Sequence, residues 1–249
     1  EYNVVGIYNE AGLVSGNFIA DSVIMRGKNA GMFKTSTTNV VIIDSIYGSI
    51  NNNHTINRCI VNKFGFIRGT NDFQYCVFYD DGVFMGANEF DTLMLYPGAG
   101  NFENQGNWFY FEGNSTQVVY DSLYMRGNQC SNMNITSLSA PTLAWIKKDN
   151  GIADVSCDYL NIISIGAESE NLTFYAGENS SALPDPNNPP PGWVFENAQG
   201  YIFGFNGMTD RFCLGDPYQI SATNFNGDPT TLYIREGNPV PGGPSNTIT

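Results

Sequence analysis

Asp80 and Asp81 are adjacent carboxylates, followed after a short stretch of chain by Glu89 and Asp91, and these are the residues best suited to acid/base work. Hydrolysis of a glycosidic bond needs two carboxyl groups on one groove, one to protonate the leaving oxygen and one to act as base or nucleophile. For that chemistry Asp80, Asp81 and Asp91 must converge in one cleft, within about 10 Å of one another. The simpler reading of Tyr79-Asp80-Asp81-Gly82 is a tight corner, of type I′ or with a G1 bulge, in which Asp and Gly serve the backbone. That reading is adopted, and no catalytic residue is expected. A lyase would want a basic residue beside a calcium-binding carboxylate cluster. Arg58, Lys63 and Arg68 lie near Asp72 in sequence, but they read as solvated turn residues. The single His54, in an Asn-rich corner, reads as a surface residue.

Binding is easier to place. Trp108, Phe109, Tyr110 and Phe111 form one strand-like run, so alternate members face outward. Trp108 and Tyr110 are the candidate ligand-binding pair, able to stack on sugar rings unless the long coil around them covers that edge. Five cysteines with no CxxC pair argue against a zinc site, and no metal site is expected. Cys59 and Cys76 fall at matching positions of consecutive coils, where they read as free thiols on an inner face. No cofactor motif is present. Calcium is the ion that the formal charge of −13 would draw, and the same charge excludes nucleic acid as a partner. No apolar run is long enough to span a membrane. The first residue is not Met, and the chain reads as processed or as part of a longer polypeptide. Asn53, Asn114, Asn134, Asn171 and Asn179 head N-glycosylation sequons, which an Asn-rich chain also produces by chance.

The elements that must position these residues are strands and turns. Charged residues make up 14% and aromatics 14%, Gly contributes 27 residues, and runs of helix formers are almost absent. Short apolar strands recur with a polar pair at the middle, as in Ile19–Ile24, Ile42–Tyr47, Ile56–Val61, Phe73–Phe78, Phe90–Leu95 and Val119–Tyr124. The apolar residue after each pair serves as a marker: Val23, Ile46, Ile60, Val77, Leu93, Leu123 and, further on, Tyr159. A further rung is expected between Met133 and Leu138. Irregular coils near twenty residues fit a solenoid whose strands stack while its turns vary. Gly- and Asn-rich corners supply left-handed backbone positions. The Pro/Asn-rich stretch 180–193 reads as a surface loop. A hairpin about Gln199-Gly200 is expected to close the stack, with Tyr201, Phe203 and Phe205 alternating. Residues Tyr218–Thr223 and Thr231–Arg235 alternate as antiparallel strands do, around a turn at 226–229.

The runs DYLNIISIGAESENLTFYAGENS, GWVFENAQGYIFGF and CLGDPYQISATNFNGDPTTLYI, within roughly residues 153 to 240, carry a resemblance. They resemble a module of large secreted Bacteroidetes surface proteins, the gliding-motility adhesins and related substrates of type IX secretion. In that family a repetitive β region precedes immunoglobulin-like or PKD-like repeats. The resemblance implies a secreted or cell-surface location and a role in attachment or in filaments. The expected fold is an all-β, right-handed parallel β-helix of seven or eight coils over 1–209, with a small antiparallel β-rich segment over 210–249. The expected function is a non-catalytic adhesion or structural module. The alternatives are a polysaccharide-degrading β-helix enzyme using Asp80, Asp81 and Asp91, and a pure spacer. Expected partners are extracellular polysaccharide or a surface, with self-association or a neighbouring domain engaged through 231–249.

Overall fold

The computed structural model describes residues 2–7, 12–98, 107–128, 132–149, 154–183, 189–196, 233–234 and 246–247. Each coil lays down one strand, turns a corner, lays down a second, usually shorter strand and returns. The first strands of the coils are β1 (Tyr2–Ile7), β3 (Phe18–Met25), β5 (Ser36–Ile43), β7 (His54–Val61), β9 (Asp72–Phe78), β11 (Glu89–Leu95), β13 (Thr116–Met125), β15 (Ala144–Lys148) and β18 (Ile165–Glu168). They pair in that order into one nine-stranded sheet, called sheet 1. The second strands are β2 (Leu13–Ser15), β4 (Gly31–Phe33), β6 (Gly48–Asn51), β8 (Gly65–Arg68), β10 (Gly82–Met85), β12 (Trp108–Phe111), β14 (Met133–Ser137), β17 (Leu160–Ile163) and β20 (Ser181–Leu183), which form sheet 2. All pairings within both sheets are parallel, and no helix occurs among the described residues. The molecule is therefore an all-β solenoid with nine rungs in the described residues, one or two more than expected. From β15 onward a small third sheet joins β16 (Val155–Ser156), β19 (Phe174–Tyr175) and β21 (Trp193–Val194).

The recurring polar pair has a physical meaning. Along β3, β5, β7, β9 and β11 the inward and outward alternation breaks at the same level, and two successive residues face out. The pairs are Asp21-Ser22, Asn39-Val40, Asn57-Arg58, Gln74-Tyr75 and Asp91-Thr92, stacked in register. The break recurs in β13, where Ser122 lies opposite Thr92. Beyond it each strand turns its apolar residues back inside. Val23, Val41, Cys59, Cys76, Leu93 and Leu123 thus form one inner column. Four of the expected markers are out of register with this column: Ile46 lies in a turn, Tyr159 precedes β17, and Ile60 and Val77 each sit one residue past the true members Cys59 and Cys76. In the coil of β5 the true marker is Val41, because Asn39-Val40 rather than Asp44-Ser45 is the outward pair. The rung expected at Met133 to Leu138 is β14, a second strand of its coil. The first strand of the following coil is β15.

Aromatic rings stack from rung to rung in the core. Phe73 lies on Phe90 with centroids 5.1 Å apart, and Phe84 on Phe111 at 5.0 Å, all four fully buried. Burying each such side chain contributes about 1.5–3 kcal/mol. Cys59 and Cys76 are buried, in register and unpaired as thiols. Burial raises the Cys76 thiol well above its usual range.

Corners use Asn and Gly in left-handed conformations, among them Asn29, Asn52, Gly69, Gly86, Asn107 and Asn114. The Tyr79-Asp80-Asp81-Gly82 corner is different. None of its residues has positive φ, so it is neither a type I′ turn nor a G1 bulge. Gly82 is required there by space: a Cβ would meet Phe78 Cε1 at 2.6 Å.

The Pro/Asn-rich stretch is a loop only in part. Its start supplies β20, paired with β17, and its end supplies β21, paired with β19. Two compact units divide the chain, residues 1–198 and 199–249. The sequence reading puts that boundary at 209/210. In the second unit, β22 (Tyr233–Ile234) and β23 (Asn246–Thr247) pair antiparallel. The hairpin at Gln199-Gly200, the Tyr218–Thr223 strand, the turn at 226–229, Cys130 and Cys213 lie outside the described residues. No helix of the described chain is long and apolar enough to cross a membrane, which says nothing of strands.

Candidate functional site

The outer face of sheet 2 carries one residue per rung just where each second strand begins. Gly48, Gly65 and Gly82 are in register with one another and with Phe109. The residues preceding them therefore form a column: Tyr47, Phe64, Asp81, Trp108. The column continues through Asn134, Asn161 and Ser181. A parallel column two residues on holds Phe66, Val83 and Tyr110. Sequence contained the signal for both, since a glycine follows Tyr47, Phe64 and Asp81 at a regular interval. The first-strand repeat masked it.

Three aromatic side chains cluster on one side of Asp81. Tyr47 and Phe64 meet edge to face at 5.3 Å, Phe64 and Phe66 at 5.0 Å, and the Arg68 guanidinium lies 4.5 Å from the Phe66 ring centre. On the next rung Trp108 and Tyr110 lie with ring planes 15° apart and centroids at 5.8 Å, while Phe109 and Phe111 point into the core. The expected alternation thus holds, but Trp108 and Tyr110 are half-buried rather than fully exposed. The Trp108 backbone lies beside Asp81.

Asp81 is buried, and its Oδ1 accepts the Trp108 backbone N–H at 2.6 Å. Burial raises its carboxyl to about 6. The backbone N–H groups of Trp108 and Asn107 favour the charged form and offset part of that rise, and Asp80 adds to it. Burial also raises Asp80, whose side chain packs against Gly98. The Tyr110 hydroxyl is raised by burial and by the Asp81 charge. Asp81, Trp108 and Tyr110 therefore form one group: a weakly acidic carboxyl beside two outward rings.

Asp91 does not join it. The β9/β11 pairing sets Asp91 level with Gln74, while Asp80 and Asp81 follow Phe78 at the far end of β9. Four strand residues already amount to about 13 Å before the corner is reached. Asp91 instead shares the outer face of sheet 1 with Asp72 and Glu89. Burial raises Asp72, and the charges of Asp91 and Glu89 raise it further. The Tyr120 hydroxyl donates to Glu89 Oε2 at 2.9 Å. Among the described residues no three His, Cys, Asp or Glu side chains are grouped to hold a metal ion. Arg58 lies within β7 over the Tyr75 ring, and Lys63 pairs with Asp44 at 3.7 Å, so neither stands as a base beside Asp72.

His54 is not a surface residue. It is 2% exposed and belongs to an inner polar column. Its Nε2 lies 2.8 Å from the Asn51 carbonyl and must donate, so Nδ1 accepts from the Ser36 hydroxyl at 2.6 Å. The column runs on from rung to rung. Asn71 Oδ1 accepts the His54 backbone N–H, Asn71 Nδ2 donates to Asn88 Oδ1 at 2.7 Å, and Asn88 Nδ2 donates to Gln117 Oε1 at 2.8 Å. On sheet 2, Asn161 Nδ2 donates to Asn134 Oδ1 at 2.8 Å, which occupies the Asn134 sequon in a ladder. No protein-family model, no curated protein and no solved structure matches the chain.

Proposed function

We propose that this chain is an extracellular attachment module, a non-catalytic solenoid that holds a polysaccharide on the outer face of sheet 2. The observation that carries this reading is the Trp108–Tyr110 pair, set on the outer column next to the buried Asp81. Aromatic faces stack on the apolar faces of sugar rings, and one buried polar group fixes orientation. The acidic chain disfavours polyanions, so a neutral glycan is the better fit.

A second reading rests on Asp81 itself. A carboxyl raised to about 6 has the character of a general acid, as a polysaccharide-degrading solenoid would need. Its second carboxyl would have to be the neighbouring Asp80, because Asp91 lies at the other end of the strand.

One experiment separates the two. The protein is mixed with a panel of neutral and acidic polysaccharides, with and without calcium, and passed over a sizing column. Co-elution with an intact polymer supports attachment. Shortening of a polymer supports the enzyme. No change in either partner contradicts both and leaves a spacer role.

A further inference from the structure

The charge of the chain is unevenly spread. Residues 26–71 hold six of the 11 Lys and Arg and one of the 24 Asp and Glu, Asp44, so this segment carries +5 in a chain of −13. Asp21 and Asp72, which border it, are exposed with Arg58 on the outer face of sheet 1. The sheet 2 side of the same coils has Lys28 in the turn before β4, Lys34 just after β4, Lys63 in the turn before β8 and Arg68 at the end of β8. Asp44 pairs with Lys63. Lys28, Lys34 and Arg68 are exposed and have no ion pair among the described residues, although carboxylates outnumber bases in this chain by more than two to one.

Aromatic rings connect two of these cations. Lys28 Nζ is 6.0 Å from the Tyr47 ring centre, Tyr47 is 6.3 Å from Phe66, and the Arg68 guanidinium lies over Phe66. Phe64 braces both rings edge to face. The line runs cation, ring, ring, cation over three successive coils. Tyr47 has φ 61° and Lys34 has φ 70°, left-handed conformations that other corners of the solenoid fill with Asn or Gly. Neither side chain is in the core: Tyr47 is 43% exposed, and Lys34 is exposed. Core packing therefore does not account for either residue, and strain held at a surface position points to a ligand. An exposed ring between two unpaired cations fits a sugar chain bearing carboxylates. The ammonium and guanidinium take the carboxylates, and Tyr47 takes the apolar face of a sugar ring. A nucleic acid fits less well, because it is charged at every unit and Asp80 and Asp81 follow on the next coil beyond Phe64.

We propose that Lys28, Tyr47, Phe66 and Arg68, with Lys34 adding to the positive field, bind a uronic-acid oligosaccharide, at a site separate from the Trp108–Tyr110 pair and independent of the neutral-glycan reading. Isothermal titration calorimetry at low ionic strength tests it. The probes are hexasaccharides of galacturonate, glucuronate and mannuronate, their carboxyl-reduced neutral counterparts, and a hexathymidylate. The parent is expected to bind at least one uronate, and to bind its neutral counterpart about tenfold more weakly. Lys28→Gln and Arg68→Gln each weaken uronate binding about fivefold or more. Arg58→Gln removes the same charge from the outer face of sheet 1 and leaves the affinity within about twofold. Tyr47→Asn places a residue suited to the left-handed corner and still weakens binding about tenfold, while circular dichroism shows the parent's strand signal. The proposal is overturned by a parent that binds none of the three uronates, that binds the neutral counterparts equally well, or that binds hexathymidylate more tightly. It is also overturned by uronate binding that is indifferent to the Lys28, Tyr47 and Arg68 substitutions, or that falls as much with Arg58→Gln.

Discussion

The Asp81 carboxylate accepts the backbone N–H of Trp108 at 2.6 Å, across one rung of the solenoid. This contact ties the acid at the β9–β10 corner to the strand that displays the outward aromatic pair. It also holds a charge at a position where burial penalises it.

Asp81→Asn is expected to stabilise the protein at neutral pH. The carboxyl is raised to about 6 in the folded chain, against an ordinary value of 3.8. Between those values the folded state binds more protons than the unfolded one, so Asp81 lowers stability as pH rises through that window. Above about 6 the loss is complete. Asn retains an oxygen for the Trp108 N–H. Urea denaturation should show a gain on the order of 1–2 kcal/mol at pH 7 and none near pH 3.5. A loss at pH 7 would contradict the assignment of burial as the main cause.

His54 acts with the opposite slope. Burial lowers its imidazole below the ordinary value of 6.5, although the Asn51 carbonyl partly offsets this. The unfolded chain therefore binds a proton that the folded one refuses. Stability contributed by neutral His54 is present above about 6.5 and is lost as pH falls through the folded value. His54→Asn places in the ladder the residue type that its neighbours already use. The variant should lack that part of the acid-side loss. An unchanged pH profile would show that His54 takes up its proton at the same pH in both states, contrary to the effect of burial.

Only part of this arrangement was legible in sequence. The all-β solenoid could be read because Ile, Val and Phe recur at coil spacing around a polar pair, and that pair marks a real, stacked break in strand alternation. The inner ladder of Ser36, His54, Asn71, Asn88 and Gln117 could not be read, because polar residues beside Gly-rich corners look the same whether they face solvent or each other. Their burial follows only from in-register stacking, where each amide finds its partner in the next coil. For the same reason Asp91 seemed close to Asp81. Chain separation suggested a shared corner, whereas strand register places the two at opposite ends of their rungs. The Trp108–Tyr110 alternation was legible because period two is a property of the strand itself.

The two amide ladders should differ in worth. Asn88 is fully buried and bonds to Asn71 and Gln117, so Asn88→Ala leaves buried partners unsatisfied and should cost about 1–3 kcal/mol or more. Asn39 is exposed, and its bonds to Asp21 and Asn57 compete with water, so Asn39→Ala should cost under about 0.5 kcal/mol. Thermal unfolding of both variants gives the comparison. Equal effects would mean that the inner column is reached by water.

The most direct test of the attachment account is the affinity of Trp108→Ala for whichever neutral polysaccharide co-elutes with the parent, measured by affinity electrophoresis beside Tyr79→Ala. Tyr79 is an exposed aromatic at the bend just past β9, stacked on Tyr96 rather than on the Trp108–Tyr110 pair, and serves as the control. The account predicts at least a tenfold loss for Trp108→Ala and no change for Tyr79→Ala. Full retention of binding by a folded Trp108→Ala variant would contradict it.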